Sequence, residues 1–564
     1  MKFLKSIFLA LLSLFLFVSP SKASHILGGE ITWECDSIGR YIFKMTVYRD
    51  CNWLSFPFQS QVLELYGNPL PLGGNNNVIN GIILRPDSTK WLKQNNGYLD
   101  PECSTALGNI PLSCANGDVG VIQAFYFKSD TLRLRGALPQ NGLNIRWTAA
   151  CCRPGNLENV AWGGTQILKA TIYPQADSLQ PCADNSPKFA DFPDYLFCRG
   201  VESTNDYSAI DLDGDSLVYS FGRHYNIPPS NPTPVPFANG YSLSSPLPDR
   251  AFDSLNIPAQ LSSSTGLLRF KVNNGANTGL ANYAMAVKVE SYRNGVKNAE
   301  VRRELPVYLM DCAPLQNTAA NLPPRINPPF YRNSIPSFKD SVVVGSPMNA
   351  SIFVLDTNMV NQGGQELTIQ VSSDNLTHNY SINGNCPIPG DSSCAYIWSF
   401  TSPTYDSTKE VYVFKRQSNF NGTLRWTPDC SDLDSSGGAK TYIFLIRVQD
   451  GHCPVPAIKH EVIEITVLPD PANPCGTITN LKNEANWTED VQLFPNPTNG
   501  LIQMNLPKQA LQLRVFTLSG QLLQEQPFNG TSNAEFNLEG PSGIYFLEIS
   551  NKYGERVFKK VVKQ

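Results

Sequence analysis

Apolar and polar side chains alternate with a period of two along many segments of this 564-residue chain. Residues 41–48 (YIFKMTVY) are a clear example, and residues 283–289 and 442–448 repeat the pattern. Such alternation is typical of a β-strand with one buried face. Because 40 Gly and 43 Pro supply turns and no long helix-forming run is present, the chain is predicted to be all-β. Further strands are predicted at residues 62–66, 121–127, 143–149 and 166–173.

The charge of the chain restricts its partners. The formal net charge is −4, and only 16% of the residues are charged, against about 25% in an average protein. A disordered polyampholyte is excluded, because 41% hydrophobic residues are enough to form ordinary cores. Nucleic-acid binding requires clustered Lys and Arg, so we expect no nucleic-acid partner.

The first residues have the features of a secretory signal peptide. Lys2 and Lys5 precede an apolar run over residues 7–18, and Ser21-Lys22-Ala23 is a small-x-small cleavage site. We therefore expect residues 1–23 to be removed and the mature chain to begin near Ser24. No later run approaches the ~18 apolar residues of a membrane-spanning helix, so no transmembrane segment is expected after signal removal.

All 14 cysteines follow the predicted signal peptide. An even number of cysteines in an exported chain indicates disulfide bonds, although their connectivity cannot be read from the sequence. Zinc binding is the alternative, but the chain has no CxxC pair and only five His. The disulfide candidates are Cys35, Cys51, Cys103, Cys114, Cys151, Cys152, Cys182, Cys198, Cys312, Cys386, Cys394, Cys430, Cys453 and Cys475.

An internal repeat lies in the middle of the chain. Residues 264–270 (STGLLRF) resemble residues 420–426 (FNGTLRW), and an alternating strand follows each of them. A final strand is predicted after each copy, at residues 305–309 and 462–467. Two copies of one β-sandwich unit explain this pattern. Two similar hairpins arising by chance are the alternative.

These features predict a multi-domain chain of tandem β-sandwiches. The Pro- and Asn-rich segments near residues 313–329 and 469–490 are predicted to be linkers. The predicted units are a signal peptide (1–23), a disulfide-rich N-terminal β domain (24–190), an Ig-like or cadherin-like repeat (191–314), a second such repeat (315–470), a linker (471–489) and a C-terminal domain (490–564).

The C-terminal segment carries a specific set of motifs. The segments are Phe494-Pro495-Asn496-Pro497-Thr498-Asn499-Gly500, residues 515–523 (VFTLSGQLL), Leu538, residues 543–547 (GIYFL) and residues 559–563 (KKVVK). In order, spacing and terminal position they resemble the type A sorting domain of the type IX secretion system of Bacteroidetes. The motif positions are Pro495, Asn496, Pro497, Gly500, Gly520, Gly543, Tyr545, Lys559 and Lys560.

This resemblance implies an Ig-like β-sandwich that is recognised by an outer-membrane translocon. It implies the type IX translocon and a sortase-like peptidase as partners, the peptidase removing the domain. The protein would then be anchored to surface lipopolysaccharide or released, so we expect a secreted or outer-membrane-anchored, cell-surface protein.

Two other resemblances concern the rest of the chain. Residues 24–35 (SHILGGEITWEC), 48–51 (YRDC) and 151–153 (CCR) are similar to segments of secreted Bacteroidetes proteins, including gliding-motility-associated surface proteins. No catalytic activity comes with that similarity. Residues 211–217 (DLDGDSL) and the G-x-L-x-[FW] strands resemble cadherin-like or PKD-like repeats.

Asp211, Asp213 and Asp215 place three carboxylates within five residues. Hard cations such as Ca²⁺ bind clustered oxygens on a turn. An EF-hand is excluded, because Gly222 stands where its loop would carry Glu and no helices flank the segment. We expect either a cadherin-like calcium site or a solvated, Asx-rich turn. Calcium is the one cofactor that the sequence suggests.

The motifs of common enzymes are missing from the sequence. It contains no GxSxG elbow, no HExxH pair and no Gly-rich phosphate loop. We therefore expect a non-enzymatic surface or secreted protein with an adhesive or structural role, with surface glycans or polymers as partners. A carbohydrate-binding or polysaccharide-degrading protein is the alternative. The plentiful aromatic residues suit stacking on sugars and packing in β-sandwich cores alike.

Overall fold

The fold is all-β, as predicted, and consists of three bodies. The computed structural model describes residues 26–36, 39–51, 58–73, 76–93, 98–99, 122–149, 153–154, 157–161, 165–174, 184–190, 192, 194–226, 230–273, 280–311, 321–356, 365–373, 380–382, 394–406, 411–417, 419–434, 437–451, 455–472, 475, 491–506, 510–517, 522–527, 533–551 and 556–564. The predicted signal peptide lies outside these residues. None of the helices that the described residues form is long and apolar enough to cross a membrane.

Residues 26–311 form the N-terminal body. The predicted strands at 41–48, 62–66, 121–127, 143–149 and 166–173 are confirmed as β2, β3, β6, β7 and β8. The elements are β1 (Ile26–Cys35), β2 (Tyr41–Asp50), β3 (Gln61–Tyr66), β4 (Gly81–Pro86), α1 (Ser88–Lys93), β5 (Tyr98–Leu99), β6 (Ile122–Ser129), β7 (Leu143–Thr148), β8 (Ile167–Ile172), β9 (Lys188–Phe189), β10 (Leu196–Cys198), β11 (Ser203–Asp206), β12 (Ala209–Ile210), β13 (Ser216–Phe221), β14 (Tyr225–Asn226), β15 (Thr233–Pro234), β16 (Ile257–Leu261), β17 (Leu267–Lys271), β18 (Ala281–Tyr283), β19 (Ala286–Arg293), β20 (Val296–Glu304) and β21 (Val307–Met310).

Eight strands of this body form a closed ring. Their order is β20-β1-β2-β6-β4-β3-β7-β8, and β8 pairs with β20 again to complete the circle. The closing pairs are Gly29 with Glu304 and Ala299 with Ile172. β13 extends the sheet through β19, and β15 extends it through β14. Inward-facing side chains such as Phe43, fully buried, fill the interior.

The ring can close because two glycines lie where β1 contacts its neighbouring strands, β20 and β2. A Cβ atom on Gly28 would lie 2.0 Å from the carbonyl oxygen of Glu304, and one on Gly29 would lie 2.2 Å from that of Thr46. Such distances are far inside van der Waals contact, so any side chain here would push the strands apart. The Gly28-Gly29 pair therefore permits the close approach of β1 to its neighbours.

Ionisable side chains are buried beside the contact between β1 and β20. The carboxylate of Glu304, 1% exposed, accepts a hydrogen bond from Nδ1 of His224 at 2.8 Å. It also lies 3.5 Å from Nη1 of Arg153 and accepts a hydrogen bond from the Gln166 amide. Burial lowers the pKa of His224 below its usual value, and the positive charge of Arg153 acts in the same direction. Burial opposes the ionisation of Glu304, but His224, Arg153 and Gln166 together lower its pKa.

The pKa shift of His224 predicts a loss of stability in mild acid. A histidine with a lowered pKa in the folded state stabilises the fold above about pH 6.5, and this contribution is lost as the pH falls, because the unfolded chain binds the proton first. The melting temperature of the wild type should decrease when the pH is lowered from about 7.5 to about 5. His224→Gln, which does not titrate, should show a flatter curve. Parallel curves for the two proteins would contradict the assignment.

The predicted boundary between residues 190 and 191 is wrong. β1 to β8 come from the predicted N-terminal domain, whereas β19 and β20 come from the predicted first repeat, yet all belong to one sheet. One hydrophobic core also runs from Ile26 to Leu309. The described residues of 24–190 and 191–314 therefore fold as one body, because their strands complete each other's hydrogen bonding.

Residues 321–475 form a β-sandwich, here called the middle sandwich. One sheet has five strands in the order β22-β26-β32-β29-β28, and the other has six in the order β25-β34-β33-β27-β31-β30. Their inner faces share one core, in which Trp426 packs edge-on against Tyr442 at 5.0 Å. The strands are β22 (Arg325–Asn327), β23 (Phe330–Arg332), β24 (Ile335–Ser337), β25 (Lys339–Val343), β26 (Met348–Leu355), β27 (Glu366–Ser373), β28 (Tyr380–Ile382), β29 (Ala395–Ser399), β30 (Thr404–Asp406), β31 (Val411–Gln417), β32 (Asn419–Trp426), β33 (Lys440–Gln449) and β34 (Ile458–Leu468), with a 3₁₀ turn at Cys430–Asp432.

The two segments predicted to be repeats share a local order of strands. β17 and β32 carry the similar sequences, and each lies in a different sheet from the hairpin that follows it, β19–β20 or β33–β34. The surroundings differ, however. The second strand of the first hairpin, β20, belongs to the closed ring, whereas the second hairpin stays within its own sandwich. The predicted final strands are present as β21 and β34, but the strand that pairs with β19 as β34 pairs with β33 is β20.

A polar seam joins the N-terminal body to the middle sandwich. Oγ1 of Thr204 on β11 accepts a hydrogen bond from the backbone N–H of His460 on β34 at 2.7 Å. Nη2 of Arg447 donates to Asp194 at 3.0 Å, and Nε2 of His460, 1% exposed, lies 3.6 Å from the same carboxylate. Val455 adds an apolar contact, because it packs into a cluster otherwise formed by the N-terminal body. The two bodies are thus held in one orientation by buried contacts.

The described cysteines are all in disulfide bonds. Cys430 and Cys475 are joined to each other across 45 residues. Cys35, Cys51, Cys198 and Cys394 are also disulfide-bonded, and none of the described cysteines is free. The other candidates, Cys103, Cys114, Cys151, Cys152, Cys182, Cys312, Cys386 and Cys453, lie outside the described residues.

The Cys430–Cys475 bond ties the end of the middle sandwich to its body. In the chain-entropy model, closing a loop of this length stabilises the fold by about 4 kcal/mol. Replacing both cysteines by serine should lower the denaturation midpoint of the middle sandwich accordingly. The measurement is chemical denaturation followed by tryptophan fluorescence, with Ser334→Ala as an exposed control. An unchanged midpoint would contradict the prediction.

The C-terminal domain is a small, separate sandwich. A three-stranded sheet, β35-β36-β39, faces a four-stranded sheet, β38-β37-β40-β41, around a core that includes Val515, Tyr545 and Leu547. The strands are β35 (Gln492–Phe494), β36 (Leu501–Asn505), β37 (Ala510–Thr517), β38 (Leu522–Pro527), β39 (Asn533–Asn537), β40 (Gly543–Asn551) and β41 (Arg556–Lys563).

Candidate cation site and C-terminal sorting domain

The acidic turn predicted from the sequence connects β12 to β13. Oδ1 of Asp211 accepts hydrogen bonds from the backbone N–H groups of Asp213 at 2.9 Å and Asp215 at 3.2 Å. Gly214 in the turn has φ +75°, a conformation that glycine adopts without strain. One oxygen of Asp211 is therefore used to shape the turn, as in an Asx turn.

The structure adds a carboxylate that sequence reasoning missed. Asp184, which precedes β9, lies with Asp213 and Asp215 so that one carboxylate oxygen from each falls within 4.8 Å of the others. We call these three side chains the acidic cage. Of the predicted residues, Asp213 and Asp215 belong to it, and Asp211 stands beside it. No spacing rule links Asp184 to the turn, because the intervening segment brings it back only in the folded chain.

An arginine from the β19–β20 hairpin binds this cage. Nε of Arg293 lies 2.7 Å from Asp215, and its Nη2 lies 3.1 Å from both Asp184 and Asp213. Two asparagines complete the surroundings. Asn298 donates to Asp215 at 2.7 Å, and Asn185 donates to Asp213 through its backbone and side-chain nitrogens at 2.7 and 2.8 Å.

The carboxylates of this region are held in an unfavourable electrostatic environment. Burial, together with the nearby Asp211 and Asp213, raises the pKa of Asp184 to about 10. Burial likewise raises the pKa of Asp211 to about 7. Both shifts mean that burial, helped by the neighbouring carboxylates, disfavours the ionised form of these two groups.

In the C-terminal domain, the segment 494–500 is paired with the last strand. Oδ1 of Asn496 accepts a hydrogen bond from the Val562 N–H at 2.9 Å, and its Nδ2 donates to the Lys560 carbonyl at 2.8 Å. The Thr498 N–H donates to the Val562 carbonyl at 2.8 Å, and the Gln564 N–H donates to that of Thr498 at 2.9 Å. The segment thus covers the outer edge of β41, which would otherwise be unpaired.

The other predicted motif positions have distinct surroundings. Pro495 and Pro497 are exposed on either side of Asn496, and Gly500, buried, has φ +128°. Tyr545 is 4% exposed and donates to the Pro541 carbonyl at 2.6 Å. Gly543 opens β40, Lys560 is exposed on β41 and Lys559 is half-buried. Gly520 lies outside the described residues.

Comparison with known families identifies this domain. Residues 492–564 match the family model described as the secretion system C-terminal sorting domain. The C-terminal domain is a type IX sorting domain. The protein is therefore exported by type IX secretion, whose machinery it must engage, and it is secreted or held at the cell surface. The expected resemblance to this family is confirmed.

Other comparisons concern larger parts of the chain. The CupB2 chaperone of Pseudomonas aeruginosa has 12% identity and a TM-score of 0.12, and covers 40% of this chain and 97% of its own. The zebrafish RET cadherin-like domains 1 to 4 have 11% identity and a TM-score of 0.15, and the match covers 77% of this chain and 88% of that one. Dimeric latent PorU of Porphyromonas gingivalis has 13% identity and a TM-score of 0.13, and the match covers 89% of this chain and 41% of that one. No curated protein matches the chain.

The pairing of the sorting domain predicts which substitutions disturb it. Asn496→Ala removes two hydrogen bonds to β41, at a cost of about 1 kcal/mol each. Hydrogen exchange at the Val562 amide should therefore accelerate in the full chain. Asn499→Ala, which is exposed and next to the same segment, is the matched control. Equal exchange in the two variants would contradict the role of Asn496.

A buried charge in this domain should block export. Tyr545→Asp places a carboxylate in the core, at a cost of several kcal/mol. The variant should be retained in the periplasm of a type IX-competent host, whereas Ser542→Asp, at an exposed position, should reach the surface or medium. Cell fractionation measures both. Wild-type surface levels of Tyr545→Asp would show that export does not need the folded core.

Proposed function

We propose that this chain is a non-enzymatic surface protein that presents an adhesive face of its middle sandwich to neutral glycans or polymers. The observation that carries the proposal is an exposed aromatic pair at the end of β29, formed by Trp398 on that strand and Phe400 directly after it. Phe400 is 82% exposed and Trp398 is 38% exposed, and their ring centres are 4.7 Å apart. Exposing such large apolar rings to water is unfavourable unless a partner covers them.

The surroundings of this pair suit a neutral, hydroxyl-rich partner. Ala395 and Ile397 of β29 point into the core, whereas Trp398 points outward beside Thr423 of β32. Near Trp398 the outward positions of β26 and β32 carry uncharged polar side chains, with one cation, Arg425, stacked 4.8 Å from the Trp398 ring. Two apolar side chains, Phe353 and Leu355, face outward further along β26. Aromatic faces contact the apolar faces of sugar rings, while neutral polar groups pair with hydroxyls. These uncharged polar side chains are Asn349, Ser351, Asn421 and Thr423.

The polar seam between the N-terminal body and the middle sandwich supports a role in presenting this face. An adhesive face resists a pulling force only if the domain that carries it is held rigidly by its neighbour. Thr204 and His460 join the N-terminal body to the middle sandwich through buried polar contacts. Inter-domain contacts of this buried kind restrict relative motion more than an exposed linker does. The two bodies then act as one stiff module.

The fate of the sorting domain belongs to the same proposal. A sortase-like peptidase would remove residues 490–564 after translocation and leave the module anchored or released. The predicted linker, residues 471–489, contains Cys475 of the Cys430–Cys475 bond, and residues 476–490 lie outside the described part. A cut beyond Cys475 would leave the middle sandwich closed by its disulfide.

The experiment compares variants of the mature chain on a glycan and polymer array. Phe400→Ala and Trp398→Ala should each weaken binding by about tenfold, equivalent to about 1.4 kcal/mol. Tyr331→Ala is the matched control, because Tyr331 is 73% exposed in the same body but lies on the separate β23–β24 hairpin. Equal binding by all three variants would refute the aromatic face. Release of reducing sugar ends from a bound polymer would favour the polysaccharide-degrading alternative instead.

A further inference from the structure

In and beside the acidic cage lie buried oxygens that accept no hydrogen bond from the described residues. Asp184 is 2% exposed, and its Oδ2 is one such oxygen. Oδ1 of Asn298, a fully buried residue that contacts Asp215, and Oδ2 of Asp211 are two others within the described part of the chain. Unpaired buried acceptors are rare in native proteins, and a bound ion is one of the standard reasons for them.

The carboxyl groups of the region outnumber the positively charged side chains that the described residues place there. Asp184, Asp213 and Asp215 contact a single guanidinium, that of Arg293, and Asp211 stands beside them. Burying carboxylates without equal positive charge is costly, so the arrangement favours a second unit of positive charge or more. A divalent cation supplies more charge in a smaller volume than a guanidinium does.

Arg293 is placed so that it can leave the cage. Its side chain is 36% exposed, whereas those of Asp184 and Asp215 are 0% and 3% exposed. It is the last residue of β19, directly before a tight turn in which Asn294 and Gly295 have φ +52° and +77°. A long, half-exposed side chain at a hairpin end can turn into solvent without disturbing the strand pairing.

We propose that a calcium ion and the Arg293 guanidinium are alternative occupants of the acidic cage formed by Asp184, Asp213 and Asp215. Calcium accepts six to eight oxygen ligands in flexible geometry, which suits three carboxylates and a nearby amide oxygen better than the strict octahedron of magnesium. Arg293 fills the cage when calcium is scarce, and calcium displaces it when calcium is abundant. The ion would fasten the segment before β9 to the β12–β13 turn and to the β19–β20 hairpin.

The exchange predicts that removing the arginine strengthens calcium binding. Calcium titration of the EDTA-treated mature chain by calorimetry should give an affinity at least about tenfold higher for Arg293→Gln than for the wild type, because the competitor is gone. Asp184→Asn in the same background should abolish this binding. Asp130→Asn, at a carboxylate that is 80% exposed, is the matched control and should leave it unchanged.

The opposite results are equally definite. If Arg293→Gln folds and binds no calcium, the arginine is a structural partner and the proposal is overturned. If Arg293→Gln is unfolded without calcium, circular dichroism after adding calcium chloride decides the matter. Recovery of a cooperative melting transition supports the exchange, and a chain that stays unfolded overturns it. These outcomes do not depend on the adhesive face, because the aromatic pair lies in the other body.

Discussion

The close approach of β1 to β20 is the contact on which the N-terminal body depends. Gly28 allows it, and Gly29 allows an equally close approach of β1 to β2, since a Cβ at either position would collide with backbone atoms. The same hairpin that closes the ring, β19–β20, carries Arg293 and Asn298 to the acidic cage. Closure of the ring and assembly of the cage therefore both depend on the position of this hairpin, which brings distant parts of the chain together.

Much of the local structure was predictable, whereas the pairing was not. Alternation with a period of two identified β2, β3, β6, β7 and β8, because a half-buried strand imposes that period wherever it occurs. The period does not reveal which strand lies alongside. The pairing of β8 with β20 joins residues more than a hundred positions apart. The predicted boundary at residue 190 was wrong because strands from both sides of it pair within one sheet, although they are far apart in the sequence.

The sites divide in the same way. Asp213 and Asp215 could be predicted as cage members, since both stand on one turn. Asp184 and Arg293 could not, because each arrives from another segment and carries no local signal. In the sorting domain the motif positions were predictable by resemblance, but the pairing of Asn496 with Val562 appeared only in the fold. The polar seam around His460 could not be predicted either, because a single histidine on a strand has no distinctive sequence pattern.

The pairing of Asn496 and Thr498 with β41 has a consequence for the timing of folding. β41 follows the other described strands of the sorting domain, yet it forms the edge against which the segment 494–500 is fastened. The sandwich therefore cannot be completed before residues 556–564 have been synthesised. A sorting domain that is cut short before them has a first segment with no edge to bind. The finished sandwich is thus a physical record that the chain ahead of β41 has already been made.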